Sequence, residues 1–392
     1  MRGSGTAGLL IATGSFRSTQ NMAQTTLSLL GVSLGFSGAA IGAVAAASNL
    51  VSVLTMLLFT AHLATRSARR AVFVGLLFMT ASLASFLAPF PIMLLVGSLL
   101  LGIAGGLVLP SAATAIGDLT SGGGDPSRAA RGRALAMLAL VLSISLALGP
   151  LYESLVLSVT HEQLQAAYLA FLPVVLLGTV VAGGRRRTAA SVRAGSGSFW
   201  ESMAGLGSLF RNRKWSLGVC GQAIYMVPFA LVIVFAGLLG KSRYHASAST
   251  TEIGIALFFI VSFLCRAALT RWPAVGHRVE LFALCAVATL LGIGLLALGH
   301  GTGLFMVALA VLGAPHGLTY PLALGLVSDA VPIEDLSRAN AGFQAMSNLI
   351  NVAAPFVFGL VLDQFGDGAL LLCAALPVVP LAALLWLLRD AG

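Results

Sequence analysis

Stretches of roughly 18 to 28 residues with almost no charged side chain recur from one end of this chain to the other. Each is long enough to cross a hydrocarbon core of about 30 Å at 1.5 Å per residue. Twelve can be counted, at 6–33, 39–61, 71–88, 91–116, 134–158, 164–184, 215–239, 252–270, 280–299, 302–327, 339–362 and 368–388. Backbone that crosses lipid must pair its N–H and C=O groups within a helix or around a closed barrel. None of the twelve alternates with period two, and their Gly, Ala and Leu content suits closely packed helices, so the expected fold is an all-α integral membrane protein. Of the 392 residues 58% are hydrophobic and 9% are charged, a balance foreign to a soluble domain of this length. The first span is not a cleavable signal, because Arg17, Gln20, Asn21 and Gln24 interrupt what would be its apolar region.

Orientation follows from Lys and Arg. Alternate loops carry Arg66, Arg69 and Arg70; Arg128, Arg131 and Arg133; Arg185 to Arg187 through Lys214; Arg271 and Arg278; and Arg338. The other set of loops carries only Lys241 and Arg243. The expectation is a multi-pass protein of the plasma (cytoplasmic) membrane with both termini on the cytoplasmic side. This asymmetry and the acidic lipid headgroups beside the basic loops account for the net charge of +9, so no nucleic-acid partner is needed. Cys220, Cys265, Cys285 and Cys373 all fall within spans and form neither a disulfide framework nor a metal-ligand spacing. No cofactor is implied, and short loops suit a monomer.

Residues 185–214 form the longest polar break and divide the chain into a six-span half (1–184), a cytoplasmic linker, and a second six-span half (215–392). Within the linker Phe199, Met203, Leu206 and Phe210 recur at helical spacing, which predicts an amphipathic helix on the membrane face; residues 185–197 read equally well as a tether. The halves echo each other. Gly102, Gly106, Pro110 and Asp118 recur as Gly313, Gly317, Pro321 and Asp329, each shifted by 211, while Arg133 and Pro150 recur as Arg338 and Pro355 at an offset of 205. Two parallel six-helix bundles related by pseudo-two-fold symmetry are expected. The third, sixth, ninth and twelfth spans contain no Asn, Gln or charged residue in their apolar stretches, so every third helix is expected to face lipid, with the others around something polar.

Twelve spans in two parallel repeats, with both ends inside, resemble the major facilitator superfamily over essentially the whole chain. The loop "AHLATRSARR" keeps Leu63, Arg66, Arg69 and Arg70 of that family's pattern after helix 2, but has Ala61 and Ala68 for its glycines and Thr65 for its Asp. "SDAVPIEDLSRANAG" after helix 10 and "GDLTSGGGDPSRAARGRA" after helix 4 resemble its Asp-x-x-Pro…Arg pattern. Ser98 stands where the family's helix 4 often has Arg. Helix 5 keeps Gly149 and Pro150 of an antiporter motif but has Ser145, Glu153 and Ser154 at its other positions, so no subfamily follows. The resemblance implies secondary transport by alternating access, as symporter or antiporter.

In the first span Thr13, Arg17, Gln20, Gln24 and Ser28 share one helical face, and the eleventh carries Gln344, Asn348, Asn351 and Pro355 with Ser347 beside them. Two readings stand for such stripes: the wall of a substrate cavity, or glue between helices. Arg17 costs about 2.5–3.5 kcal/mol at mid-membrane even on the mildest scale. It therefore calls for water, for an acid such as Glu153, or for a carboxylate or phosphate on the substrate. The expected substrate-binding set is Arg17, Gln20, Asn21, Gln24, Gln222, Tyr225, His316, Tyr320, Gln344, Asn348 and Asn351. Glu153, read as the only carboxylate well inside a span, and His316 are candidates for proton coupling, with a satisfied core role as the alternative for each. Arg266, near a span end, reads as a snorkelling side chain. Expected gating positions are Arg66, Arg69 and Arg70 against Asp118 or Asp329, with Arg338, and the helix-bending Pro150 and Pro355.

The function expected is a secondary transporter of a small organic solute, anionic or carboxylate-bearing, with protons as a possible coupling ion. A proton-coupled multidrug or metabolite exporter is the alternative, and a transporter-like sensor or scaffold without flux is the reading from another class. An enzyme is not expected, since paired carboxylates or a His–acid cluster at ligand spacing are missing.

Overall fold

The computed structural model describes residues 3–63, 68–88, 90–120, 128–183, 209–272, 277–332 and 335–389. The described chain is helical almost throughout. In order the helices are α1 (Gly3–Thr25), α2 (Leu27–Ser33), α3 (Gly38–Leu63), α4 (Ala68–Leu87), α5 (Pro91–Thr120), α6 (Arg128–Val159) and α7 (Leu164–Gly183). They continue with α8 (Arg213–Ala230), a π-helical turn (Leu231–Phe235), α9 (Ala236–Tyr244), α10 (Ala248–Arg271), α11 (Arg278–Leu298), α12 (Thr302–Asp329), α13 (Leu336–Ala375) and α14 (Val378–Leu388).

The twelve predicted spans map onto these helices with three differences. The first span breaks at Thr26 into α1 and α2. The seventh runs on to Tyr244, because Pro228 cannot donate to the carbonyl four residues back and the helix rewinds as a π turn before continuing. The eleventh and twelfth spans join in α13, which passes through Gly366 at φ 78 and ψ −175, a conformation open to glycine. Among the described residues, ten segments are long and apolar enough to cross a membrane by composition. The first span is not among them, since its polar stripe dilutes it, and Arg338–Leu387 contains the last two.

The chain separates into two compact units, Met1–Phe36 with Ala47–Ser196, and Ser37–Ala46 with Gly197–Gly392. The sequence did not foresee that the start of α3 groups with the second unit. Phe199, Met203 and Leu206 of the expected amphipathic helix lie outside the described residues, as does Arg66.

Helix association in hydrocarbon gains nothing from moving apolar surface out of water, so close backbone contact at small residues carries much of the packing. Both units show it at equivalent places. In the first unit a Cβ on Gly102 or Gly106 of α5 would strike the carbonyl oxygens of Ser48 and Ser52 on α3. In the second, one on Gly313 or Gly317 of α12 would strike those of Phe258 and Ser262 on α10. The internal repeat is thus a repeat of helix crossings.

The second unit begins on a cap: the Asn212 side chain accepts from the Trp215 amide and donates to the Ala330 carbonyl at 2.7 Å. Trp215 is fully buried among Leu217, Phe282, Val327 and Phe343, its indole N–H on the Ala339 carbonyl at 3.0 Å. Gly42 at the start of α3 meets the Pro355 carbonyl, and Gly359 meets that of Gly38. Asp363 then accepts from the amides of Gly38 at 2.7 Å and Ala39 at 2.9 Å.

Large apolar side chains stay exposed along α4, α7, α11 and α14, the spans expected to face lipid, including Leu77, Val180, Val287 and Leu387. The same holds for Met137, Leu140, Ile144, Leu148 and Leu155 on α6 and for Leu349, Phe356 and Leu360 on α13. Exposed apolar stripes are therefore not confined to every third helix. Hydropathy by span missed this because α6 and α13 are two-faced.

Candidate functional site

The first unit holds a charged set. Arg17, midway along the α1–α2 span and half-buried, donates from Nη1 to Gln20 Oε1 at 2.6 Å. Gln20 is buried, its amide nitrogen set against Gly105 of α5, where a Cβ would stand 3.0 Å away. Asn21 does something else: fully turned in, it donates to the Leu146 carbonyl of α6 at 2.9 Å, the interhelical bond that was one of the two readings of the stripe. Thr13 is spent on its own helix, on the Leu9 carbonyl, while Gln24 remains partly exposed. The stripe is thus divided. Arg17 and Gln24 keep an accessible side, whereas Thr13, Gln20, Asn21 and Ser28 are interior.

Glu153 on α6 is completely buried and accepts from the Thr26 hydroxyl at the α1–α2 break. Thr26 lies about 13 Å along the helix axis from Arg17 at 1.5 Å per residue. Gly149, one turn before Glu153, sits on the Ser18 carbonyl, so the same crossing of α1 and α6 positions both ends of this set. Glu153 is not alone as a buried acid. Glu252 is also fully buried, since α10 starts at Ala248 behind a Ser247 cap and carries Glu252 a turn inside the helix. The sequence reading had placed it at a span end.

The second unit holds an aromatic and amide set on α8, α10, α12 and α13. His316 Nδ1 shares a 2.7 Å hydrogen bond with the Ser262 hydroxyl. Its ring stacks on Phe229 with centroids 4.6 Å apart and 27° between planes, and Tyr225, Phe258 and Phe259 stand at 5.8, 5.0 and 5.5 Å. Gln222, one turn before Tyr225 and Met226, donates to the Met226 sulfur at 3.3 Å. A turn past His316, the Tyr320 hydroxyl accepts from Gln344 Nε2 at 2.9 Å. Arg266 is half-buried on α10. Asn348 and Asn351 are half-buried on the same helix as Gln344. Phe229, Phe258, Phe259 and Ser262 read as ordinary span residues, and only the meeting of three helices brings them around His316.

The expected gating residues find partners inside their own units. Arg69 donates to the carbonyls of Ala182 and Val181 at the end of α7, at 3.0 and 3.1 Å. Asp329 pairs with Arg278 at 2.6 Å. Arg338 pairs with Asp335 at 3.3 Å. Arg70 is exposed, the Asp118 side chain lies outside the described residues, and Pro150 and Pro355 are interior to unbroken helical stretches.

The model of the Major Facilitator Superfamily matches residues 9–296 and again 219–392. Among solved structures the chain superposes on the nucleoside transporter NupG, in a mutant form, with TM-score 0.80, 16% identity, and 98% of this chain and 99% of that one covered. It is also similar to a bacterial homolog of the human lysosomal transporter Spinster, at TM-score 0.75 and 14% identity over 99% of this chain and 96% of that one. A mutant peptide transporter POT matches at 0.77 and 14%, over 99% and 94%. Identities this low bear on fold, and the family model bears on kinship. The chain belongs to the major facilitator superfamily and is a multi-pass membrane transporter of small molecules rather than an enzyme.

Proposed function

We propose that this protein is a secondary transporter of small organic anions, working by alternating access and coupled to protons. The observation that carries the reading is Arg17, a guanidinium in the middle of a membrane-spanning segment, with an accessible side and a neutral amide, Gln20, on its Nη1. A planar guanidinium offers a carboxylate two parallel donors, and in low-dielectric surroundings a charged hydrogen bond contributes about 1.5–3 kcal/mol. The Tyr320–Gln344 bond adds an accessible polar pair within the second unit. The buried Glu153, bonded to Thr26, and His316, bonded to Ser262, are the groups that would take up and release the coupling proton.

Thermal unfolding of detergent-purified protein tests the reading with benzoate and succinate as anions, tetraethylammonium as a cation and glucose as a neutral solute. An anion should raise the melting temperature, and Arg17→Gln should weaken its apparent affinity by roughly 10- to 100-fold, the equivalent of one charged hydrogen bond. Stabilisation by the cation alone, or by an anion equally in the variant, would overturn it.

A further inference from the structure

Helix α8 carries two neighbouring buried polar atoms that find no hydrogen-bond partner among the described residues. Gln222 Oε1 and the Tyr225 hydroxyl are each without a hydrogen-bond partner, in side chains 7% and 2% exposed. An unmade bond on a buried polar group costs about 1–3 kcal/mol, so two on adjacent turns of one helix need a reason. Both border the aromatic cluster. Tyr225 and Phe229 lie 23° and 19° from parallel to Phe258, though tilted 40° to each other, and His316 stacks on Phe229 at 27°. Phe229 and His316 are only half-buried, so the stack reaches an accessible surface. Met226, also half-buried, holds the Gln222 amide through its sulfur, a weak bond on a side chain with three free torsions. Met226 is thus the flexible side chain that engages the Gln222 amide.

We propose that this corner of α8, α10 and α12 is a ring-binding subsite. A planar unsaturated ring of the transported solute stacks on Phe229 and His316, while an N–H on its edge donates to Gln222 Oε1 and a neighbouring carbonyl or ring nitrogen accepts from the Tyr225 hydroxyl. Offset ring stacking adds about 0.5–1.5 kcal/mol beyond area burial, and the edge contacts exclude rings that lack a donor. The inference rests on the transport reading above and adds a substrate class to it: solutes that carry a flat, edge-polar ring.

Three uncharged probes isolate the subsite from Arg17. 2-Pyridone has the ring, the N–H and the carbonyl; N-methyl-2-pyridone lacks the donor; 2-piperidone keeps the polar edge but is saturated. In saturation-transfer NMR with the full chain in detergent, 2-pyridone should bind at least threefold more tightly than either relative. Gln222→Leu and Tyr225→Phe should each weaken it by about 2- to 12-fold, one neutral hydrogen bond, and Phe229→Leu should abolish the preference over 2-piperidone. Tyr225→Phe keeps the ring and removes one oxygen, so it guards against a folding defect in the other variants. Equal binding of the three probes, or 2-pyridone affinity unchanged in both Gln222→Leu and Tyr225→Phe, would overturn the subsite. Benzoate in the same experiment separates the two proposals. Binding of 2-pyridone without benzoate would remove the anion reading and leave the subsite, and the converse would do the opposite.

Discussion

The two units share a scaffold and differ in what they mount on it. In each, a pair of glycines four residues apart lets one helix lie against the carbonyls of another, α5 on α3 and α12 on α10. Beside that crossing the first unit mounts charged and amide groups, Arg17, Gln20 and the Glu153–Thr26 pair, held where α1 and α6 cross. The second gathers rings and a hydroxyl, Tyr225, Phe229, Phe258, Ser262 and His316, with Glu252 as its own buried acid on α10. A duplicated fold fixes where helices cross, because a Cβ at the crossing is forbidden on backbone grounds. It leaves the side chains a turn away free to differ, and function resides there.

The largest expected effect tests the shared part. Gly106→Ala and Gly317→Ala each drive a methyl into a backbone carbonyl that cannot rotate aside, and each should cost about 1–3 kcal/mol of stability. Gly294→Ala on α11, with nothing within 4 Å, should be neutral or stabilising by up to about 1 kcal/mol, since glycine is a poor helix residue. Thermal unfolding of the three variants checks this. A tolerant Gly317 beside an intolerant Gly106 would break the equivalence of the units. The next effect tests the difference. Thr26→Val removes the hydroxyl that donates to a buried carboxylate and should cost about 1.5–3 kcal/mol if the acid is charged. Ser262→Ala, at the neutral pair with His316, should cost about 0.5–1.5 kcal/mol. Equal losses would mean that the first unit's acid is held neutral, and the contrast between a charged and an uncharged unit would narrow.

Much of the fold was legible because hydropathy is a one-dimensional property: a span needs only its own residues to reveal it. The glycine crossings were legible too, as identical spacings 211 residues apart. Where local pattern and tertiary setting diverge, legibility ends. Asn21 and Arg17 belong to one polar segment of sequence, yet one is bound to Leu146 on α6 and the other keeps an open side, a distinction that depends on where α6 lies. Phe229 and Phe258 carry no polar signal, and only the meeting of α8, α10 and α12 sets them around His316. Glu252 was hidden by its address, because the apolar window begins there while the helix begins at the Ser247 cap. Within their own units Arg69 bonds the Ala182 carbonyl and Asp329 pairs with Arg278, partners that charge alone does not single out.

A smaller effect is expected at the Tyr320–Gln344 bond. Tyr320 is 37% exposed, so water can replace the lost partner, and Tyr320→Phe should cost no more than about 0.5 kcal/mol, the low end for a hydrogen bond. A loss several times larger in thermal unfolding would show that Tyr320 also holds Arg266 in place, and would make the second unit more charged in its working parts than its rings suggest.

The smallest expected effect concerns Asp363, just beyond the eleventh predicted span. Desolvation pushes its carboxyl up, but the bonds from the Ala39 amide, the Ser37 hydroxyl and the Gly38 amide outweigh it and hold the group below its ordinary range. A carboxylate at the amino end of a helix also meets the positive end of the helix dipole, here that of α3, which contributes about 0.3–1 kcal/mol at an exposed site. Because the folded value is the lower one, the contribution is complete above the unfolded value near 3.9 and disappears as pH falls through the depressed value. Asp363→Asn should therefore lower the melting temperature slightly at pH 7 and progressively less as the pH falls below the unfolded value, the two melting curves converging as the wild-type group takes up its proton. A variant deficit that stayed constant across that range would assign the effect to the packing of Gly38 and Gly42 against Pro355 and Gly359, and leave the charge idle.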